Sequence, residues 1–244
     1  MKSIWCVMKR ELASYFESPI AYVFIIIFLA LLGFFTFMVD DFFAYGQADL
    51  RPFFRWHPWL FLVLVPAIGM RLWAEERRSG SMELLLTLPI SAWQAIVGKF
   101  LAAWAFIGLA LALTFPTILT VAGLGDPDGG VVFTGYVGSF AIAGVYLAVS
   151  TLTSAMTRSQ VVSFIVSVVI CLLLVLAGWP MVTNLFATWA PEWLVNGVAA
   201  CSVLTHYEAL QRGVIDSRDL VYTATVILFC LFTTGVILRN RRSL

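Results

Sequence analysis

The sequence predicts an all-α integral membrane protein with six transmembrane helices and both termini on the cytoplasmic side. Three observations predict it. Of 244 residues, 61% are hydrophobic and 12% charged, whereas ordinary soluble domains carry about 25% charged residues. A bilayer crossing takes roughly 20 apolar residues. Six runs of about that length fill the chain, leaving no room for a separate soluble domain of about 100 residues. Finally, Lys and Arg alternate from gap to gap. Lys2, Lys9, Arg10, Arg71, Arg77, Arg78, Lys99, Arg158, Arg239, Arg241 and Arg242 fall on one side of the runs. The other side holds Arg51, Arg55, Arg212 and Arg218 among most of the acids. Basic residues stay cytoplasmic, which fixes the orientation.

Residues 1–18 precede any span. Trp5, Met8, Leu12, Tyr15 and Phe16 recur at helical spacing, with Lys9 and Arg10 between them, the pattern of a helix lying in the membrane interface. Ser18-Pro19 turns the chain into span one, 20–39, because Pro is tolerated at a helix start. Span two is 58–73, with Pro66 expected to kink it. Span three, 93–123, is longer than a bilayer requires and is expected to tilt or project. Asp126-Pro127-Asp128-Gly129-Gly130 makes a tight outer turn before span four, 131–156, and span five, 160–176. The apolar, Trp-containing stretch 180–219 reads as one or two short helices on the outer leaflet. Span six, 220–238, closes on Arg239, Arg241 and Arg242. The first run is too long for a signal-peptide core and is expected to be retained. Cys6, Cys171, Cys201 and Cys230 show no metal or redox spacing.

The interiors of the six runs read as free of Asp, Glu, Lys, Arg and His, with Lys99 counted among the loop charges. Transporters driven by ion gradients keep ionisable groups at membrane depth despite insertion costs of about 2.5–3.5 kcal/mol each. Energy for uphill movement must therefore enter from elsewhere. The chain carries no phosphate-cradling GxxxxGK[ST] loop; its Gly98-Lys99 pair is followed by Phe100. Any ATPase is another polypeptide. The net charge of +1 says nothing about nucleic acid, and no nucleic-acid partner is expected.

Residues 75–90 are the candidate dock for that ATPase. Glu75, Glu76, Arg77 and Arg78 are followed by Gly80, which can break the extension of span two, and Ser81, which can cap a short helix ended by Pro89. Met82, Leu85 and Leu86 would offer packing and Glu83 charge pairing. The alternative is an ordinary solvated connector. On the outer side, His206, Tyr207, Glu208, Arg212, Asp216 and Asp219 form a cluster that in principle suits acid–base chemistry or a metal. His206 and Glu208 are two apart and do not share a helical face, so capping and pairing of the outer helices is the expected role. No metal site and no catalytic residue is expected, and His57 reads as an interfacial polar residue. Pairs of small residues such as Gly108/Ala112 and Ser150/Ser154 permit close helix approach but locate no interface.

The run AEERRSGSMELLLTLPISAWQAIVGKF, residues 74–100, resembles the coupling segment of ABC transporter permeases of the second exporter type. RELASYFESPIAYV (10–23), PFFRWHPWLFLVLVPAIGMRLWAEE (52–76) and HYEALQRGVIDSRDLVY (206–222) resemble the gliding-motility-type permease subunits. The resemblance implies an exporter in which six spans pair with a second, like or related permease. Two separate ATPase subunits carry the ATP and magnesium, and this chain binds no cofactor. It further implies a bacterial inner membrane and admits an auxiliary membrane protein with a large outer domain. The N-terminal helix would be the elbow helix and 75–90 the coupling helix. Glu75 and Glu76 would be the acidic pair ending span two. Gly80, Ser81 and Glu83 would match a Gly-Thr/Ser-x-Glu step, and Leu84, Leu85, Leu86 and Pro89 the leucine-rich turn into span three. His206, Tyr207, Glu208, Arg212 and Asp219 would form an outer gate or partner surface. Two other readings stay open: an ATP-driven scaffold or mechanotransmitter that carries no solute, and a membrane-embedded lipid- or glycan-modifying enzyme built on His206.

Overall fold

The computed structural model describes residues 2–40, 42, 49–80, 91–188 and 191–240. Among them every regular element is helical. Helix α1, Lys2–Glu17, runs up to Ser18, whose side chain accepts a hydrogen bond from the Ile20 amide and caps α2, Pro19–Phe34. Pro19 sits at the first position, where its missing N–H costs nothing. A π-helical turn, Phe35–Val39, ends span one. Span two is assembled from three pieces: α3, Arg51–Arg55, α4, His57–Gly69, and α5, Arg71–Ser79.

Span three also divides. Helix α6, Ala92–Ala112, starts on a capping box between Ser91 and Gln94 and gives way at Leu113–Thr114 to α7, Phe115–Leu124. The extra length expected to tilt is thus taken up by a break. Pro116 has no N–H for the Ala112 carbonyl, and the Thr114 hydroxyl lies 2.6 Å from the Tyr136 hydroxyl of span four. Asp128 caps α8, Gly129–Met156, through the amides of Gly130 and Val131. Span five is α9, Gln160–Leu176. Three short helices follow, α10, Pro180–Ala187, α11, Glu192–Ala200, and α12, Val203–Gln211, before the sixth span, α13, Ser217–Asn240. Five of the membrane-length segments are long and apolar enough to cross a bilayer outright, and α9 is a shorter apolar helix beside them.

Helix α8 is the post around which the bundle is built, packing on α4, α5, α6, α9, α12 and α13. Its side chains from Ile142 to Ser150 are all buried. By contrast α2 and α13 keep wide exposed apolar faces, including Ile26, Phe34, Leu228 and Phe232, the surfaces such a protein offers to lipid or to another membrane chain. The bundle has two ends, the α1 end and the opposite end, where α12 packs. Helix α1 packs along α6. Tyr15 stacks on Phe106 at 5.2 Å and Phe16 meets the same ring edge-on. The aromatic face expected to dip into lipid is therefore partly turned inward, while Trp5, Lys9 and Arg10 remain exposed and Met8 and Leu12 are half-buried.

At the opposite end His57 is fully buried, not interfacial, ringed by Phe28, Phe53, Phe54 and Phe61. Its Nδ1 lies 3.1 Å from the Phe53 carbonyl. All four cysteines are free.

Candidate functional site

At the α1 end, span two reaches past the bundle as α5, and three contacts tie this extension to the spans around it. The joint between α4 and α5 at Met70 is held by Ser154 of α8. Its hydroxyl donates to the Met70 carbonyl at 2.8 Å and accepts from the amides of Trp73 and Ala74 at 3.0 and 2.9 Å. A hydroxyl has one proton and two acceptor sites, so Ser154 is saturated by three backbone groups of span two. A side chain inserted into the helical ladder is a recognised cause of a helix break. The approach is close enough that a Cβ on Gly69 would lie 2.3 Å from the Ser150 Cβ.

Arg77 makes the second tie. Its Nη1 donates to the Ala155 and Thr157 carbonyls at the end of α8, where the carbonyls of a helix terminus lack internal donors and attract cations. The third is an ion cluster. Lys99 of α6 is 4% exposed, with its ammonium 2.8 Å from Glu76 Oε1 and 3.2 Å from Glu11 Oε2. It also lies 5.6 Å from the centre of the Trp73 ring, within cation–π range. Burial alone would raise the Glu11 carboxyl, but the Lys99 ammonium, aided by Arg10, outweighs it and holds Glu11 below the usual carboxylate range. One lysine thus joins α1, α5 and α6. This corrects the sequence reading, which placed Lys99 with loop charges and left the span interiors without any: it lies inside the third span, buried and paired.

Of the residues singled out from sequence, Glu76 and Arg77 enter these ties, whereas Glu75 and Arg78 are exposed on the same helix. Gly80 ends α5 with φ of 73°, the left-handed conformation that favours glycine. Ser81, Met82, Glu83, Leu84, Leu85, Leu86 and Pro89 lie outside the described residues.

The outer cluster is divided by the structure. Tyr207 and Asp219 are buried, Glu208 and Arg212 exposed and 3.4 Å apart one turn along α12. His206 Nδ1 lies 2.7 Å from Asp219 Oδ1, its Nε2 3.1 Å from the Ala200 carbonyl, and its ring stacks on Tyr222 at 4.1 Å. Both ring nitrogens are committed to holding α11, α12 and α13 together. The Tyr207 hydroxyl donates to the Phe54 carbonyl at 2.8 Å and meets Ser139 at 2.9 Å. Pro58 has no N–H to offer that carbonyl, so Tyr207 supplies the missing donor. Tyr207→Phe is expected to cost about 1–3 kcal/mol, the penalty for a stranded buried acceptor, read as a lowered midpoint of thermal unfolding in detergent.

Sequence reasoning missed Lys99, Glu11, Trp73 and Ser154 as members of one site. The available signals were a lone lysine within an apolar run and a small-residue pair on span four.

A family model of the ABC-2 family transporter proteins matches residues 5–238, nearly the whole chain. The chain belongs to the ABC-2 transporter family. It is accordingly a multi-pass membrane permease component of an ABC transporter, a family whose permeases work with an ABC ATPase. The comparison with curated proteins finds no match. For an ABC-2 permease the functional question is how movement enters the membrane domain, and the α5 ties bear directly on it.

Proposed function

We propose that this chain is the membrane subunit of an ATP-driven exporter of the gliding-motility type. Residues 75–90 receive the motion of separate ATPase subunits that carry ATP and magnesium, and a second permease completes the transmembrane dimer. Both termini face the cytoplasm of a bacterial inner membrane, as the one-sided distribution of Lys and Arg supports. The observation that carries the reading is the attachment of α5. The helix leading into 81–90 is fixed to span four through Ser154 and Arg77 and to span three and α1 through Lys99. A segment so fixed passes a push at its tip to three spans as a rigid-body displacement, where a slack linker would absorb it.

The test is docking. Glu83→Arg combined with Leu85→Asp is expected to abolish co-purification with its partner ABC ATPase, and stimulation of that ATPase's hydrolysis, while insertion into the membrane is unaffected. Co-purification and stimulation equal to the parent chain would overturn the docking assignment.

A further inference from the structure

Between α1, α2 and the α4–α5 joint lies a cavity of about 500 Å³, within the roughly 300–1,000 Å³ of ordinary ligand pockets. Its lining has two halves. Toward the middle of the bundle the wall is apolar, built by Val23, Phe24, Ile27, Leu64, Ala67 and Ile68. Toward the α1 end it is polar, with Glu11, Ser18, Arg71, Glu75, Glu76 and Lys99 in the wall. The boundary falls where spans one and two meet the charged end of the bundle, the level at which a bilayer changes from acyl chains to headgroups. Val23 and Ile27 are also exposed on the outside of span one, so the apolar half opens toward lipid.

Two polar atoms in this lining lack partners. Arg71 Nε is buried and makes no hydrogen bond among the described residues, and neither does Glu76 Oε2, the oxygen not used by Lys99. An unpaired buried donor and an unpaired buried carboxylate oxygen are each costly, and the side chains that carry them line one cavity, so a turn of each side chain would bring them to a ligand there. A ligand that satisfies both carries an anion for Arg71 and an N–H-bearing cation for Glu76. A guanidinium is suited to phosphate through its fork of donors. An anionic headgroup alone fits poorly, because Glu11, Glu75 and Glu76 outnumber Arg71 and Lys99 around it.

We propose that the cavity binds a zwitterionic phospholipid with a primary ammonium headgroup, an ethanolamine phospholipid, from the leaflet at the α1 end. The phosphate sits at Arg71, the ammonium at Glu76 with Glu75 beside it, and the upper acyl chains lie against Ala67, Ile68 and span one. The bound lipid fills the space between α1 and the α4–α5 joint, so it stiffens the attachment of α5. The site shares Glu75 and Glu76 with the segment 75–90, but lipid retention is read on this chain alone, without the ATPase or any exported cargo.

The test uses the full-length protein, delipidated in maltoside detergent and then exposed to equimolar ethanolamine, choline and glycerol phospholipids, with retained lipid counted by native mass spectrometry. The ethanolamine lipid is expected to be retained about tenfold over the other two, the effect of one charge-assisted hydrogen bond. Choline offers no N–H to a carboxylate, and phosphatidylglycerol offers no cation. Arg71→Ala, which leaves the wall intact, and Ala67→Trp, which leaves the charges intact and fills the wall, are each expected to cut retention about tenfold while helicity and monodispersity are kept. Millimolar phosphoethanolamine, the headgroup without tails, is expected not to displace the lipid. Equal retention of phosphatidylglycerol, undiminished retention in both variants, or displacement by the soluble headgroup would each overturn the proposal.

Discussion

Lys99→Met is expected to destabilise the protein by about 3–5 kcal/mol, the cost of removing one partner from a buried ion pair. The magnitude follows from what is left behind. Glu11 and Glu76, both largely shielded, lose the ammonium between them, which leaves Glu11 to Arg10 and takes from Glu76 the cation it pairs with. The Trp73 ring loses its cation as well. An exposed lysine of the same helix pair, Lys9, gives the reference: Lys9→Met is expected to stay within about 0.5 kcal/mol. The triple change Lys99→Met, Glu11→Gln, Glu76→Gln is expected to recover most of the loss, because buried ion pairs contribute little net stability over well-packed neutral replacements. Unfolding in mixed micelles, followed by tryptophan fluorescence, measures all three. A Lys99→Met protein as stable as Lys9→Met would show that the cluster is ornamental. The acid limb gives a second check. Glu11 is held below its ordinary value in the fold, so the stability it contributes is present above the unfolded-state pKa. It is lost as pH falls through the lower, folded-state value, so the parent chain and Lys9→Met are expected to show this acid-side loss and Glu11→Gln to lack it.

The spans were legible because the bilayer imposes one rule on each of them, a long run without charge. The alternation of Arg77 and Arg78 with Asp40 and Asp126 carries the proposed sidedness by charge alone. The breaks within spans two and three were only half legible. Pro66 and Pro116 announce lost donors, but the joint at Met70 is made by Ser154, a residue distant in sequence whose hydroxyl looks like any other small polar group in an apolar helix. Lys99 was misplaced for the same reason: its partners come from α1 and α5, and no periodicity within α6 points to them. His206 makes the case from the other side. Read locally, its neighbour was Glu208, two positions on; folded, its partner is Asp219, thirteen residues away and across a turn. Local patterns specify helices, faces and ends. Long-range polar pairing depends on how the helices cross, which hydrophobic periodicity does not encode.

Ser154→Ala is the sharpest probe of the attachment between span two and span four. The substitution removes one oxygen and strands three backbone groups, the Met70 carbonyl and the amides of Trp73 and Ala74. Stranded buried groups cost about 1–3 kcal/mol each, and water entering the joint would relieve some of that, so a loss of about 2–5 kcal/mol is expected. Ser150→Ala, one turn away on the same face, is the matched control. Its hydroxyl donates to the Tyr146 carbonyl within α8 itself, so removing it breaks no hydrogen bond to span two and is expected to cost no more than about 1 kcal/mol. Function should separate the two more clearly than stability does. With Ser154→Ala the segment 75–90 still carries its docking residues, so the ATPase is expected to co-purify as before. The motion it delivers now reaches a joint that can flex at Met70, so stimulation of hydrolysis by the membrane subunit is expected to fall severalfold. Glu83→Arg with Leu85→Asp has the opposite signature, in which binding itself is lost. Measuring co-purification and stimulated hydrolysis side by side therefore distinguishes a broken dock from a broken lever. If Ser154→Ala matched Ser150→Ala in both stability and stimulation, rigid transmission through the α4–α5 joint would have to be abandoned, and Arg77 and Lys99 would be left to carry the connection alone.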